Sequence, residues 1–205
     1  KRITKEVLER IKPFAEAIAD DVGITFQVSG SPNSYFVPDK GIINLRWGSF
    51  KDPESDELRG TAVIFHELGH LRHFILDSDQ ILKIVKEVKP PIFYVYSACD
   101  DMEIEEYLKK YPPIREERER EYKYVSKVRD IGAGPKSAQF LFGMIEYAML
   151  EELPAGIHPD VRKEIKKLED VNEVNVLQLI KTTPEPALRH QIVNKIIQPI
   201  FERFI

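Results

Sequence analysis

Residues 61–76 read Thr-Ala-Val-Ile-Phe-His-Glu-Leu-Gly-His-Leu-Arg-His-Phe-Ile-Leu, an apolar run with histidines and a glutamate set into its middle. A stretch this apolar folds as a largely buried helix. Imidazoles and a carboxylate are costly to place there unless they are paired or hold a metal. His66 and His70 stand four residues apart, so both rings lie on one helical face about one turn from each other and can reach one ion, with Glu67 beside the ion's open side. The competing reading is an amphipathic helix, with Val63, Leu68, Leu71 and Ile75 facing inward and His66, Glu67, His70 and His73 in water. Gly69 weighs against that reading. A glycine inside a helix costs about 1 kcal/mol relative to alanine, a cost explained if a second helix must approach closely enough to bring a ligand.

A catalytic zinc site takes three protein ligands and leaves a fourth position for water. The third must come from elsewhere, and the richest store of acids is Ala98-Cys99-Asp100-Asp101-Met102-Glu103-Ile104-Glu105-Glu106. On a helix, Ala98, Asp101, Met102, Glu105 and Leu108 share one face, which is the inward one because it holds the apolar members. This predicts Asp101 as the ligand and Glu105 as acceptor for the N–H of a ligating histidine. Glu103 and Glu105 are the alternatives to Asp101, and Asp100 and Glu103 are expected to point more to the side. Such a run can equally be a solvated acidic surface, although its mutual repulsion favours a nearby dication. His73, one turn beyond His70, is an alternative ligand, but it is expected to reach past the ion and to stand behind the ligands, in the substrate cleft or as an ordinary partly buried histidine.

The chain has 205 residues with 42% hydrophobic content, enough for one domain or for one domain with an appended subdomain. A single cysteine, Cys99, excludes an internal disulfide and leaves zinc to imidazole and carboxylate. The net charge of −4 gives no electrostatic reason to expect nucleic acid. No run reaches membrane-spanning length, and residues 1–12 read as an amphipathic helix and not as a signal peptide, so no membrane partner and a cytoplasmic setting are expected. Abundant Lys, Glu, Ile and Val over Asn and Gln leans toward the composition of thermophilic proteins.

Periodicity predicts a helix over 4–20 with Thr4 as its cap, then strands over 24–28, 35–37 and 42–47 separated by Gly/Pro/Asn turns, which together make a small antiparallel sheet. Helices follow over 57–76, 80–88 and 93–110, the last stopped by Pro112-Pro113. Beyond lie a charged helix over 115–129, an apolar helix over 137–150 capped by Ser137, and amphipathic helices over 159–168, 172–181 and 185–204. The expected class is therefore α+β and mostly helical. We expect a core over residues 1–112 and a helical extension over 113–205 packed on it, or the two merged in a single domain.

The order of helix, small sheet, H-E-x-x-H helix and acidic helix resembles the minimal core of the zincin metallopeptidases, over roughly residues 4–110. The Asp101-x-x-x-Glu105 pair reverses the gluzincin order of Glu-x-x-x-Asp and is similar to that of metallopeptidase-like domains found beside von Willebrand A modules. The metzincin pattern is absent, because His73 stands where its glycine would be. The resemblance implies His66 and His70 as zinc ligands, Glu67 as the general base, and strand 42–47 beside the cleft as a site where an extended peptide could add. The function expected is Zn²⁺-dependent hydrolysis of a peptide or protein substrate. Tyr94, Tyr96, Tyr107, His73 and His158 are candidate donors to the oxyanion. The alternative is a catalytically silent or self-inhibited binding module in which the C-terminal helices cover the cleft.

Overall fold

The computed structural model describes residues 25–29, 35–37, 40, 42–46, 53–128 and 130–205. The helix expected over 4–20 and the turns around 30–34 and 47–52 lie outside the described residues. The protein is mostly helical with one small sheet, the expected α+β class.

The sheet holds β1 (Thr25–Ser29), β2 (Tyr35–Val37) and β3 (Ile42–Arg46) in the order β1-β3-β2. It is mixed, not antiparallel as expected. β2 turns back on β3 with Phe36 opposite Ile43, whereas β1 lies parallel to β3 with Phe26 opposite Ile43. The short link between β2 and β3 fixes their hairpin. β2 runs opposite to both β1 and β3, so β1 and β3 point the same way and pair in parallel.

The motif helix α1 (Pro53–Leu76) begins at a proline, which suits a first turn whose N–H groups have no helical acceptor. Asp77 interrupts it and caps α2 (Ser78–Glu87), its carboxylate accepting from Gln80 N at 3.0 Å. The acidic helix α3 (Ile92–Leu108) follows, and Pro112-Pro113 then open α4 (Pro112–Val128) in the same first-turn role as Pro53. A 3₁₀ turn (Ile131–Ala133) precedes α5 (Lys136–Leu150). Ser137 does not cap α5, contrary to expectation, because the cap residue is Pro135 and makes no side-chain bond. Gln139 secures the entry instead, donating to Gly132 O and Gly134 O.

His158 caps α6 (Pro159–Lys167) through Nδ1, and Asn175 caps α7 (Val176–Thr182). The helix expected from residue 172 starts later, since Asn172 and Glu173 adopt positive φ and turn the chain. Last come α8 (Pro186–Ile192), a π-helical segment (Val193–Ile197), α9 (Gln198–Phe201) and a 3₁₀ turn (Glu202–Phe204). Pro199 has no N–H to return to the preceding turn, and the wider π spacing just before it accommodates that loss. Among the described residues no helix is long and apolar enough to cross a membrane.

The hub is α3, which packs against α1, α4, α5, α7 and α8. Val95, Ala98, Cys99 and Met102 face a large core completed by Phe140, Met144, Ile165, Ile180, Val193 and Phe201. On its other side Ile104 and Leu108 join Ala62 and Ile114 in a second cluster. The core therefore crosses the boundary expected at residue 112, and the C-terminal helices are part of the scaffold that holds α3 in place.

Gly69 is where α1 and α3 come together. A Cβ there would lie 2.5 Å from Ile104 Cγ2 and 2.9 Å from Ile104 Cγ1. Ile104 is fully buried and has nowhere to retreat. Gly69→Ala therefore separates the helices, at about 1–3 kcal/mol of overpacking against about 1 kcal/mol gained in helix propensity. The expected result is a lower melting temperature, read by thermal unfolding. A variant more stable than wild type would overturn this account of the glycine.

Candidate metal centre

Helix α1 presents His66 and His70, and α3 brings Asp101 to meet them. Asp101 Oδ1 lies 3.2 Å from His70 Nε2 and 3.5 Å from His66 Nε2, and one donor atom from each residue falls within 4.8 Å of the others. Ligand bonds of about 2.0–2.2 Å in tetrahedral array place neighbouring donor atoms roughly 3.4 Å apart, so the spacing suits a small dication. No other such group occurs among the described residues.

The orientation of His66 is set from behind. Its Nδ1 donates to Glu105 Oε1 at 2.8 Å, because a carboxylate can only accept, and this turns the Nε2 lone pair toward Asp101. Arg118 on α4 fixes Glu105 in turn, its Nε donating to Oε1 at 2.9 Å and Oε2 at 3.0 Å. Burial alone would raise the Glu105 carboxyl, yet Arg118 and His66 hold it down at about 2. Lone pairs of two imidazoles and a carboxylate thus converge on one point, an arrangement that calls for a cation. Without a metal, a proton serves: burial opposes the charge on His66, but Asp101 and Glu105 overcome it and raise its pKa to about 10.

Glu67 is buried at 5% exposure, and its Oε2 has no hydrogen-bond partner among the described residues. Desolvation pushes its carboxyl above the ordinary range, while His70 and His66 pull the other way. The donors and Glu67 open onto a cleft of about 370 Å³ whose wall includes Tyr35, Phe36, Ile84, Phe93 and Tyr96. An orphaned, buried carboxylate oxygen beside three converging donors is what a site for a metal ion and its water requires.

The remaining acids, Asp100 and Glu103, point away from the cluster and are buried. Glu103 is buried and faces away from the cluster, toward Arg72 and His73; His73 Nε2 donates to its Oε2 at 2.6 Å. Asp100 is buried beneath the cleft, where Arg189 Nε donates to it at 2.7 Å and His190 Nε2 at 3.2 Å. Burial would raise the Asp100 carboxyl, but Arg189 and His190 hold it well below the usual range. So α3 is acidic on several sides because each side meets a different cation. A single inward face would leave the other acids in water, but over residues 98–108 no side chain of α3 is exposed.

His73 is 1% exposed and ties three helices together. With Nε2 donating to Glu103, its Nδ1 accepts from Arg189 Nη2 at 3.2 Å, and desolvation lowers its pKa so that it stays neutral. Arg189 and His190 were missed in the sequence. A signal was present: stepping back along the apolar face of the last helix from Ile197 and Val193 lands on both residues. A buried Arg-His pair on such a face demands a carboxylate partner.

Of the expected oxyanion donors, Tyr96 and His73 line the cleft. Tyr107 packs under Arg72 on the far side of α1, Tyr94 is 53% exposed, and His158 caps α6. The strand expected to receive a peptide, β3, is paired on both sides, by β1 and β2. The edge beside the cleft is β2, with Tyr35 and Phe36 in the cleft wall and the Phe36 ring 5.9 Å from Phe74 of α1.

Comparison of the chain with protein-family models, with curated proteins and with solved structures found no match.

Proposed function

We propose that this protein is a zinc-dependent metallopeptidase of zincin type, acting on peptide or protein substrates in the cytoplasm. The observation that carries the reading is the convergence of His66, His70 and Asp101 in a cleft beside the unpartnered carboxylate oxygen of Glu67. A Zn²⁺ ion held by those three residues supplies Lewis acidity and lowers the pKa of a bound water. Glu67, whose carboxyl burial has made more basic, takes a proton as water oxygen adds to the amide carbonyl. It then delivers that proton to the leaving nitrogen as the C–N bond breaks. Glu105 and Arg118 keep His66 in the tautomer that directs Nε2 at the ion. The edge of β2 away from β3, unpaired among the described residues, offers main-chain pairing to an extended substrate.

The competing reading, a module restrained by its C-terminal helices, is weakened by their role in the core. Phe140, Val193 and Phe201 are fully buried against α3, so these helices support the cleft instead of covering it. A truncation near residue 136 would remove that support and would not serve as a test.

Metal analysis does. Purified protein is expected to carry about one zinc per chain, and chelation is expected to remove both the metal and the cleavage of fluorogenic peptides, with zinc restoring both. His66→Ala and Asp101→Ala should each abolish stoichiometric binding. A folded wild-type protein that takes up no divalent metal would sink the proposal.

A further inference from the structure

We infer that the cleft wall formed by α2 and the start of α3 is a specificity pocket for an uncharged apolar or aromatic side chain immediately flanking the bond to be cut. The inference rests on the hydrolase reading above and adds the substrate class. Ile81, Ile84 and Val85 lie at i, i+3 and i+4 on α2, so they stand on one helical face, and that face opens onto the cleft together with Phe93 of α3 and Phe36 of β2. These apolar side chains share one continuous cavity with His66, Glu67, His70 and Asp101. A substrate whose amide sits at the metal centre therefore has a neighbouring side chain against this wall. The cavity of about 370 Å³ is near the lower end of ligand sites, room for one large side chain and its backbone.

The polar groups in the pocket decide the class of side chain, because their bonding is already committed within the protein. Asp100 is paired with the Arg189 guanidinium and also accepts a hydrogen bond from His190 Nε2. His190 has both ring nitrogens engaged, Nε2 with Asp100 and Nδ1 with Gln80 at 3.1 Å. The Tyr96 hydroxyl donates to Asn194, and its ring stands edge-on to His190 with centroids 5.1 Å apart. Ser97 adds only a neutral hydroxyl. Glu67 stands with His66, His70 and Asp101 at the metal centre; against the α2 wall a charged side chain would lose its hydration and find no counter-charge free to replace it among the described residues, whereas an apolar one exchanges water for Ile84 and Phe93.

The test uses full-length, zinc-loaded protein and a series of quenched peptides differing only at the residues flanking one central bond: Leu or Phe against Glu or Lys. Wild type is expected to favour the apolar peptides in kcat/KM by on the order of 100-fold or more. Val85 is 43% exposed at the cleft mouth, so Val85→Glu should fold normally. That variant is expected to raise cleavage of the Lys peptide about tenfold relative to the Leu peptide. Equal cleavage of all peptides by wild type, or an unchanged Lys/Leu ratio in Val85→Glu, overturns the pocket while leaving the hydrolase intact. A second readout is calorimetric binding of the same peptides to zinc-loaded Glu67→Gln. Apolar peptides bound in preference by a protein whose wild type cuts none would overturn the hydrolase and keep the pocket. No binding and no cleavage of any peptide overturns both.

Discussion

Glu67→Gln is expected to keep its zinc and lose hydrolysis by about 10²–10⁴-fold in kcat. The amide keeps the size of the carboxylate and leaves His66, His70 and Asp101 in place, so the metal has no reason to leave. What disappears is the ability to accept a proton. In the native protein that ability is heightened by burial, which raises the Glu67 carboxyl and leaves Oε2 without a partner among the described residues. Folding stability should hold or rise, because a buried carboxylate without a complete set of partners costs more than a neutral amide. Metal content, circular dichroism and steady-state cleavage measured on the same preparation make the comparison. A variant within tenfold of wild type would remove Glu67 from the role of base.

Arg189→Met carries the largest expected loss of stability. The guanidinium is fully buried and makes bonds to Asp100, to His73 and, through Nη1, to the carbonyls of Thr183 and Pro184. Its removal strands a carboxylate in the interior and frees the end of α7 from α8. Breaking a buried pair by deleting one partner costs about 3–5 kcal/mol, equivalent to roughly 10 °C in melting temperature for a chain of this size. Asp100→Asn in the same chain should recover part of the loss, since the stranded charge is then gone. A single Arg189→Met variant that melts like wild type would show that Asp100 is satisfied by other means.

The part of the site legible in the chain is the part written at short range. His66, Glu67 and His70 lie within one helical turn and a half, and their common face follows from the 3.6-residue period. Glu105 as the acceptor behind His66 followed from the same period on α3, because Asp101 and Glu105 are four residues apart. Gly69 pointed to a close helix–helix approach by its cost alone, and Ile104 is the residue that makes the approach. Pro112 lies between two helices: lacking an N–H it cannot continue the first, and for the same reason it suits the first turn of the next, which therefore starts three residues before the expected Arg115.

What the chain determines by itself is thus a set of helices, a small sheet and two helical faces bearing complementary chemistry, because those depend on backbone period and residue type. Only tertiary structure decided the rest. Arg189 is 89 residues from Asp100 and 116 from His73, and Arg118 reaches Glu105 from a separate helix. No local period relates such positions. It took packing of α8 against α3 to turn an acid that appeared lateral into a buried ion pair. The sheet order, too, is a matter of which edge is free once strands pair, and this moved the expected peptide edge from β3 to β2. Charge and period along the chain say what must be neutralised or covered; which group does it depends on segments that meet only when the core closes.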